Sequence, residues 1–580
     1  MAKKMAKVYG IDLGTTYSVI STLDDNGMPE VITNQDEGSD LLASAVYFQD
    51  GADPVVGEIA KNQKDFEPDR VVEFVKRFIG KPDAPTYEFN GIKYDPITIS
   101  SLILKRMKAY ADAQGHDVKN VVITCPAYFG NDEKAATKQA GIIAGLNVLN
   151  IVHEPTAAAL NYCVREFKEN RKIMVYDLGG GTFDITLFDF SVDDDGKALI
   201  DVIRTGGNDR LGGIDWDARM FDYMCQKYAF ENGTEVSDMD DELRATIRAQ
   251  VEQAKKDLST LKKKSYTIKD GDRDRTRIEL TRQEFEELTQ DLVQQTMDFV
   301  HQLLSDVDFT PDDVDVVLLV GGSTLMPMIK NAVEAVFPGK VRVEQPNLAV
   351  AKGAALSAAL EWIERIATIQ DKVSKGKQIT PEDMDSLGVS QDGTDAADAA
   401  TQLRGLLDQP LPDLPPVAPP KDKLTRSLGP AVFVSDDSYM IDNLLFIGDE
   451  IPAEAESVYG TRVENAPEIV VNVYENVSED RVNKHITPCF DANGDPQYTD
   501  PELKVKRIGE VHLQLPPNTP QGAPIRVVFR SSTIGLEVTA TNVETGESAK
   551  TVIESDVLYS EDDLKKAKSR FEGIQTSGQI

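Results

Sequence analysis

Apolar and polar residues alternate in two different ways along the chain, and the first way extends to about residue 366. Strand-like apolar runs there alternate with stretches of helical period, as in "NVVITCPAYF" followed by "NDEKAATKQAGIIAGL". Asn131 can cap the helix that the second stretch predicts, and Asp132 and Glu133 suit its positive end. Strands that alternate with helices predict an α/β domain over residues 1–366.

The later part of the chain has short strands in which apolar residues recur at every second position. In "GEVHLQLPP", Val511, Leu513 and Leu515 fall on one face of the strand and polar residues fall on the other. This period is typical of a half-buried antiparallel sheet. We therefore predict a β-sandwich domain over residues 424–555 and a short helical tail over residues 556–580.

Clustered prolines and acidic residues separate these two parts, as in "SQDGTDAADAATQLRGLLDQPLPDLPPVAPPKDK". Proline has no backbone N–H to donate, so it interrupts both helices and the hydrogen-bond ladders of sheets. Residues 367–423 are therefore predicted to form an acidic, Pro-rich linker or insertion. Within it, "ITPEDMDSLG" can form one short helix.

Composition and charge narrow the classes of function. A length of 580 residues allows several domains, and 41% hydrophobic and 27% charged residues are ordinary for a soluble protein. The formal net charge of −35 would repel a phosphate backbone, so nucleic acid is not an expected partner. The first residues lack the long apolar core of a signal peptide, and no apolar run is long enough to span a bilayer. We therefore expect a cytoplasmic protein without a membrane partner.

The cysteines do not indicate a disulfide framework or a zinc site. No two of them form a CxxC pair, and the five histidines are equally scattered. We expect the thiols to stay reduced in a cytosol. The four cysteines are Cys125, Cys163, Cys225 and Cys489.

One strand–turn–strand pattern occurs twice, in "VYGIDLGTTYSVI" and in "IMVYDLGGGTFDITLFDF". In both, an apolar strand ends in Asp-Leu-Gly, a turn of small residues follows, and an alternating strand leaves the turn. The aspartates are Asp12 and Asp177. Two similar hairpins indicate two similar subdomains.

The residues of these turns suit a nucleotide. Small residues let backbone N–H groups approach a polyphosphate, and a threonine hydroxyl adds another donor. A carboxylate cannot bind phosphate directly, but it can hold the waters of a Mg²⁺ ion that bridges phosphates. We therefore predict that Asp12 and Asp177 meet across a cleft around Mg²⁺, with Gly14–Thr16 and Gly179–Thr182 around the phosphates. One such turn alone is more often purely structural, whereas two at matching strand ends favour a phosphate site.

A third turn, "VGGSTLMP", follows the apolar strand "VDVVLLV". Its Gly321, Gly322 and Ser323 open a helix whose backbone could approach a nucleoside. By itself this is a common strand-to-helix turn. The chain contains no GxxxxGK[ST] motif, which excludes a P-loop.

Seven motifs in order resemble the nucleotide-binding domain of the seventy-kilodalton heat-shock chaperones, over roughly residues 7–365. They are "GIDLGTTYSV", "VKRFIG", "ITCPAYF", "HEPTAAALNY", "YDLGGGTFDI", "EQAKKDLS" and "VGGSTLMP". The resemblance implies an actin-like ATPase domain made of two RNase H-like subdomain pairs. More loosely, "TRSLGPAVFV", "IPAE", "YGT", "VNVYEN" and "GEVHLQLPP" resemble the β-sandwich peptide-binding domain of that family.

The same resemblance implies ATP and Mg²⁺ as cofactors, with unfolded or extended polypeptides and co-chaperones as partners. It implies that Lys76 contacts the γ-phosphate and helps to position the attacking water, and that Asp12 and Asp177 place the metal. The implied catalytic residues are Lys76, Glu154, Asp177, Thr182 and Asp184. The implied nucleotide-binding residues are Asp12, Gly14, Thr15, Thr16, Tyr17, Gly179, Gly180, Gly181, Thr182, Gly212, Gly213, Glu252, Lys255, Lys256, Ser259, Gly321, Gly322, Ser323 and Asn347.

The chain departs from the family at positions that matter for binding. Lys256 and Leu325 stand where the family usually has arginines flanking the adenine, and Asn347 stands where an aspartate is usual. An ammonium or an alkyl chain stacks on a base differently from a guanidinium, so we expect altered nucleotide affinity or base preference. The family's short leucine-rich linker is replaced by the Pro-rich tract, in which Gly405–Asp408 is either a remnant or a chance helix fragment. Because few residues follow Ile553, a helical lid is not expected, and we expect clients to bind weakly and leave quickly.

Three functions are compatible with these patterns. The leading hypothesis is an ATP-dependent molecular chaperone that hydrolyses ATP and binds exposed apolar segments of unfolded polypeptides. An actin-like metabolite kinase would use the same two hairpins, but it needs a catalytic aspartate beside an acceptor site, and the β-sandwich argues against it. A nucleotide-binding scaffold with vestigial hydrolysis is the third, because the adenine positions are altered and no lid is expected.

Overall fold

We analysed a computed structural model of the chain. It describes residues 7–64, 66–166, 169–193, 196–270, 275–389, 396–407, 409, 411, 414, 416–418, 423–435, 438–482, 485–486, 488–490, 496–498, 503–532, 535–553 and 558–578. No helix within these ranges has both the length and the apolar composition needed to cross a membrane. The side chain of Cys489 lies outside the described part, and Cys125, Cys163 and Cys225 are buried thiols.

The first lobe, residues 7–166, is built on a six-stranded sheet in which β1 pairs in parallel with β10 and antiparallel with β2. Its strands are β1 (Tyr9–Asp12), β2 (Tyr17–Leu23), β3 (Pro29–Val31), β4 (Leu42–Ala43), β5 (Ala45–Tyr47), β6 (Val55–Val56), β7 (Val71–Glu73), β8 (Tyr87–Phe89), β9 (Ile92–Tyr94), β10 (Asn120–Cys125) and β11 (Asn147–His153). Its helices are α1 (Glu58–Gln63), α2 (Pro96–Ala113), α3 (Asn131–Ile143) and α4 (Glu154–Glu166), with 3₁₀ turns at Pro68–Arg70 and Val75–Phe78.

The start of α3 differs by one residue from the prediction. Asn131 is the first helical residue and not the cap, because the chain turns into the helix at Gly130. The Glu133 side chain accepts the Gly130 N–H at 3.1 Å and so takes the capping role. Glycine has no side chain that can cap a helix, so the sequence carries no capping signal at position 130.

The second lobe, residues 169–343, repeats the arrangement with a five-stranded sheet in the order β14-β13-β12-β17-β18. Its strands are β12 (Arg171–Leu178), β13 (Phe183–Val192), β14 (Ala198–Asn208), β15 (Lys263–Ile268), β16 (Thr276–Thr281), β17 (Val316–Val320) and β18 (Val341–Val343). Its helices are α5 (Gly213–Asn232), α6 (Asp241–Thr260), α7 (Arg282–Leu288), α8 (Gln290–Asp306) and α9 (Pro327–Val336), with 3₁₀ turns at Val236–Asp238, Pro311–Asp313 and Gly322–Leu325. Both lobes therefore combine a mixed sheet with helices.

Helix α10 (Ala349–Ser374) returns from the second lobe to the first and packs on α4 and β1. Glycines make this packing possible, because backbone meets backbone at two points. A Cβ on Gly10 would lie 2.0 Å from the Ala355 nitrogen, and a Cβ on Gly353 would lie 1.7 Å from the Ala157 carbonyl oxygen. Any side chain at either glycine would separate α10 from the first lobe.

Residues 367–423, predicted as a linker or insertion, fold onto both lobes where they are described. Helix α10 runs past residue 366 to Ser374, and two helices follow, α11 (Pro381–Ser386) and α12 (Ala396–Leu407). The first of these confirms the short helix predicted in "ITPEDMDSLG". Leu387, Leu403 and Val417 join the core formed with α4, α10 and both sheets.

The end of this segment extends the second-lobe sheet. Val417 forms a parallel bridge with Ala198 at the start of β14. The Ala198 N–H donates to Pro416 O at 2.8 Å, and the Ala418 N–H donates to Ala198 O at 2.8 Å. Within the described residues, the segment between the lobes and the sandwich is thus held at a sheet edge, despite its prolines.

The C-terminal part forms two antiparallel sheets in the orders β23-β20-β19-β22-β26 and β21-β27-β28-β29, with a separate two-stranded β24–β25 pair. Their inner faces share one core that includes Val473, Val511, Leu513, Val527 and Phe529. The alternation predicted for β26 is confirmed by the burial of Val511, Leu513 and Leu515. The strands are β19 (Ser427–Ser435), β20 (Ser438–Asp442), β21 (Ala453–Gly460), β22 (Glu468–Asn476), β23 (His485–Ile486), β24 (Pro488–Phe490), β25 (Pro496–Tyr498), β26 (Lys506–Gln514), β27 (Pro524–Ser532), β28 (Gly535–Asn542) and β29 (Ser548–Ile553).

The tail helix α13 (Glu561–Glu572) packs on the first lobe. Ala567 and Phe571 are buried in the core of that lobe. Lys105 on α2 donates to the carbonyl oxygens of Phe571 at 2.7 Å and Glu572 at 3.0 Å, so a cation binds the negative end of the helix. The Tyr559 hydroxyl donates to Asp95 Oδ2 at 2.5 Å just before α13 begins.

The sandwich contacts the amino terminus of α3 through a cluster of charges. Lys506 on β26 forms an ion pair with Asp132 at 2.6 Å. Glu475 on β22 lies beside the same lysine, and Arg426 and Glu133 also face it. Burial raises the pKa of Glu475 to about 7, Lys506 and Arg426 oppose this shift, and Asp132 and Glu133 add to it.

This cluster predicts that docking of the sandwich depends on pH. The pKa of Glu475 is about 7 when docked and ordinarily 4.5, so the docked state binds the proton more tightly. The contribution of Glu475 to docking is therefore full below pH 4.5 and is lost as the pH rises through about 7. Hydrogen exchange of the amide groups at the start of α3 should accelerate over that range as the sandwich releases.

Glu475→Gln should flatten this pH profile, because the amide does not titrate. Glu510→Gln is the matched control, since Glu510 lies on β26 with its side chain 41% exposed beside Arg507 and His512. An unchanged profile in Glu475→Gln would show that another group controls the contact.

Candidate functional site

The two predicted hairpins meet in the cleft between the lobes. β1 and β2 pair Asp12 with Val19, and β12 and β13 pair Asp177 with Asp184. The turns touch directly. A Cβ on Gly180 would lie 1.9 Å from Thr16 Oγ1, and a Cβ on Gly181 would lie 2.6 Å from Thr15 Cγ2.

The amino terminus of α5 holds the triple-glycine turn of the second lobe from behind. The N–H groups of Gly213 and Ile214 donate to the carbonyls of Gly179 at 3.0 Å and Gly180 at 2.8 Å. Ser323 Oγ also donates to Gly179 O, at 2.8 Å. The backbones of Gly212 and Gly181 are in contact, because a Cβ on Gly212 would lie 2.6 Å from Gly181 atoms. Three predicted site residues, Gly212, Gly213 and Ser323, thus support the turn from its rear side.

Beneath the turns lies a cluster of four carboxylates and one ammonium. Lys76 and Glu154 form a buried ion pair, with 5% and 7% of each residue exposed. Asp177 and Asp184 are equally buried, and Asp12 is half-buried. The Ala127 N–H donates to Asp184 Oδ1 at 3.0 Å.

The electrostatics of this cluster favour an added cation. Burial raises the pKa of Asp12 to about 7, with Glu154 adding to the shift and Lys76 opposing it. Burial and the neighbouring Glu154 raise the pKa of Asp177 and of Asp184 well above the usual range. Burial disfavours the ammonium of Lys76, yet Glu154 and Asp12 raise its pKa above the ordinary value. One ammonium cannot neutralise four carboxylates, so a divalent ion would relieve the repulsion between them.

The donor set suits a hydrated cation better than a fully protein-coordinated one. Within the described residues, no group of three or more His, Cys, Asp or Glu side chains is arranged to hold a metal ion. Mg²⁺ keeps several of its waters and commonly uses only one or two carboxylates. Among the residues that the structure describes, the buried Thr16 hydroxyl has no hydrogen-bond partner, and it adds a further oxygen at the same turn.

A second polar cluster spans the cleft between β2, α1 and α6. The Tyr17 hydroxyl donates to Glu252 Oε1 at 3.1 Å and accepts from Lys61 at 2.8 Å. Lys61 pairs with Glu252, and Lys256 pairs with the same carboxylate at 2.7 Å. Burial would raise the pKa of Glu252, but the two lysines outweigh burial and lower it to about 2. Glu252, one of the predicted nucleotide-binding residues, is therefore engaged by two ammonium groups.

Lys255 and Ser259, two further predicted nucleotide-binding residues, lie on the same helix α6. Lys255 donates to Gly213 O at 2.9 Å and pairs with Asp217 at 2.7 Å, which ties α6 to α5. Ser259 Oγ donates to Lys255 O at 2.9 Å, within its own helix.

The third glycine turn packs against the second hairpin. Gly321 has φ of 83°, and a Cβ there would lie 2.6 Å from Asp177 Oδ1, so only glycine fits. Asn347 Oδ1 would lie 2.7 Å from a Cβ on Gly322. Leu325, which follows this turn, is 49% exposed.

Comparison with known proteins identifies the family. A family model described as "Hsp70 protein" matches residues 8–370. The chain belongs to the Hsp70 family. Similar proteins include the chaperone protein DnaK of Thermotoga neapolitana and that of Thermotoga maritima, each 38% identical over 369 residues, or 62% of this chain and 60% of the relative. DnaK of Thermosipho melanesiensis is 38% identical over 370 residues, again 62% of this chain and 60% of the relative.

The match thus spans about 60% of the length of these curated relatives. The family resemblance expected from the seven motifs is confirmed. The roles of the individual site residues in this Hsp70 chain stay predictions.

Sequence reasoning missed three charged residues that the fold brings to the cleft. Lys61 and Asp217 lie on amphipathic helices, where charge is normally read as solvated surface. Arg77 follows Lys76 within the motif "VKRFIG", but only the lysine was given a role. The adjacency of Arg77 to a predicted catalytic residue was the one signal that could have identified it.

The contact between the turns predicts that alanine substitution lowers nucleotide affinity at one glycine and not at its neighbour. Gly180→Ala should push the hairpins apart, since its methyl group would overlap Thr16, and affinity for Mg·ADP should fall by at least about tenfold, the loss expected when phosphate donors separate. Gly179→Ala is the matched control, because its Cβ would meet nothing nearer than 3.6 Å. Titration with a fluorescent ADP measures both. Equal affinities for the two variants would contradict a joint phosphate site.

Proposed function

We propose that this Hsp70 chain is an ATP-dependent molecular chaperone that hydrolyses ATP and binds exposed apolar segments of unfolded polypeptides. The observation that carries the proposal is the contact of two glycine turns, Gly14–Thr16 and Gly179–Thr182, above a buried cluster rich in carboxylates. Membership of the family and the similarity to proteins named chaperone protein DnaK support it. Neither a metabolite kinase nor a scaffold with vestigial hydrolysis is favoured by these relatives.

The architecture supports the same proposal. The two lobes each have a mixed sheet that begins with the same hairpin, and we assign them to the paired RNase H-like subdomains of an actin-like ATPase domain. The proposed domains are residues 1–366 for the ATPase, 367–423 for an acidic, Pro-rich linker or insertion, 424–555 for the peptide-binding sandwich and 556–580 for the helical tail. We also expect co-chaperones as partners and a cytoplasmic location.

The proposed site holds ATP and Mg²⁺ with distinct sets of residues. Asp12 and Asp177 would hold the waters of Mg²⁺, which when bound neutralises charge on the phosphates. The backbone N–H groups of the two turns would bind the phosphate oxygens. In the described part of the chain, the N–H groups of Gly180, Gly181 and Thr182 have no acceptor.

The residues below the turns would position the water that attacks the terminal phosphate. Lys76 is held by Glu154, and the carboxylates around it favour its charged form, so it would present an ammonium to the transferring phosphoryl group. Asp184 is fixed by the Ala127 N–H and would complete the polar shell together with Thr182. Phosphoryl transfer gains mainly from such positioning and charge neutralisation, and it needs no covalent nucleophile.

The residues that stand in place of the family's adenine-flanking arginines support altered binding of the nucleoside. Lys256 is already engaged by Glu252 and Tyr17, and Leu325 offers an aliphatic surface. We therefore infer that affinity depends more on the phosphates than on stacking with the base.

Lys76→Met should abolish hydrolysis while leaving nucleotide binding measurable. Loss of a preorganised charge at a developing anion lowers turnover by about a hundredfold or more. Single-turnover hydrolysis of radiolabelled ATP measures the step itself. Unchanged turnover in the variant would point to a contaminating ATPase or to another mechanism.

Coupling between the domains predicts reciprocal effects of ATP and peptide. An unfolded polypeptide should accelerate ATP turnover. ATP and a fluorescent apolar peptide should each change the equilibrium affinity for the other by the same factor, because coupling free energies of binding act equally in both directions. Following both signals in one sample checks this. Peptide binding that ignores nucleotide would favour the scaffold with vestigial hydrolysis.

A further inference from the structure

Arg77 connects the first lobe to the last carbonyl of the triple-glycine turn in the second lobe. Its Nε and Nη2 both donate to Gly181 O, at 3.0 Å and 2.5 Å. Nη2 also reaches Asp215 Oδ2 at 3.4 Å. Asp215 in turn accepts the Gly212 N–H at 2.8 Å at the start of α5. The guanidinium is thus held at the rear side of the turn.

The direction of each peptide group in this turn follows from the bond behind it. In a trans peptide, the carbonyl and the N–H of the next residue point in opposite directions. Gly179 O is held by Gly213 and Ser323, so the Gly180 N–H faces the cleft. Gly180 O accepts the Ile214 N–H, so the Gly181 N–H also faces the cleft.

The third peptide group follows the same rule, but its support comes from the other lobe. Gly181 O is held by Arg77, so the Thr182 N–H faces the cleft beside the other two. Consecutive N–H groups that point to one side form an anion-binding concavity. Two of its donors are therefore fixed within the second lobe, and the third depends on a residue of the first lobe.

We propose that Arg77 is a positioning residue that turns the Thr182 amide toward the bound phosphates when the lobes close. This inference rests on the proposed function, because it assigns the turn to phosphate binding. Glycine at position 181 has wide conformational freedom, so the Gly181–Thr182 peptide can rotate once its carbonyl is released. Opening of the lobes would withdraw Arg77 and with it the third donor.

The segment that carries Arg77 also provides the matched control. Lys81, a few residues later, pairs with Asp209 of the second lobe at 2.9 Å. It is a cation from the first lobe that contacts a carboxylate of the second, but it does not touch the glycine turn. Lys81→Met therefore removes a contact between the lobes without releasing Gly181 O.

The test compares Arg77→Met, Arg77→Lys and Lys81→Met in the full chain. Arg77→Met should slow single-turnover ATP hydrolysis by at least about tenfold, less than the loss of a donor itself because the amide remains present. Arg77→Lys should recover part of the rate, since one ammonium can replace only part of the two-donor contact. Lys81→Met should stay within about twofold of the wild type, as expected for a surface ion pair.

A second readout separates positioning from general destabilisation. Bound Mg·ADP should protect the amides of Gly180, Gly181 and Thr182 from hydrogen exchange in the wild type. In Arg77→Met, protection of Thr182 should be lost while protection of the two glycines remains. A purely structural defect would lower all three together.

The outcomes are distinguishable. Suppose that the wild type hydrolyses ATP. If Arg77→Met then hydrolyses ATP at the wild-type rate, or if its Thr182 amide stays protected, the inference is overturned and the proposed function is not. A wild-type chain that neither binds nor hydrolyses ATP would overturn the proposed function as well. Should Arg77→Met not fold, Arg77→Lys decides, since a wild-type rate with full Thr182 protection there would overturn the role.

Discussion

Backbone contact at two glycines sets the geometry on which the cleft depends. Helix α10 lies so close to β1 at Gly10 and to α4 at Gly353 that no side chain fits between them. The helix follows directly after the second lobe, so this contact ties the second lobe to the first. Gly180 and Thr16 touch where the two hairpins meet. Small residues thus permit close approach both where α10 packs on the first lobe and where the two hairpins touch.

That approach also brings charges together that would otherwise repel each other. Asp12 belongs to the first lobe, and Asp177 and Asp184 belong to the second, so closing the lobes concentrates negative charge in a buried volume. The ammonium of Lys76 offsets part of this negative charge and forms an ion pair with Glu154. Buried carboxylates without enough partners are costly, and the cost falls when a cation enters. The fold thus buries excess negative charge where Mg²⁺ and the nucleotide are proposed to bind, and a bound cation would stabilise it.

Local patterns made part of this structure predictable. In each hairpin, around Asp12 and around Asp177, the alternating strand pattern and the turn of small residues lie within a few residues of each other. The alternation of Val511 and Leu513 is equally local. Contacts between distant segments were not predictable in this way. Nothing near Lys61 indicates that it pairs with Glu252, and the prolines around Val417 argue against the sheet contact that Val417 makes with Ala198. Arg77 is a similar case, because its partner is a carbonyl, which any residue possesses.

The tail helix has a consequence for how the sandwich moves. The chain reaches the sandwich from a sheet edge at Ala198 and leaves it toward α13, which is anchored on the first lobe by Phe571 and Lys105. A body tethered on both sides remains at high effective concentration near its docking surface. The contact between Lys506 and Asp132 therefore needs little intrinsic affinity to be populated. Rebinding after each release is an intramolecular event whose probability is independent of how dilute the protein is.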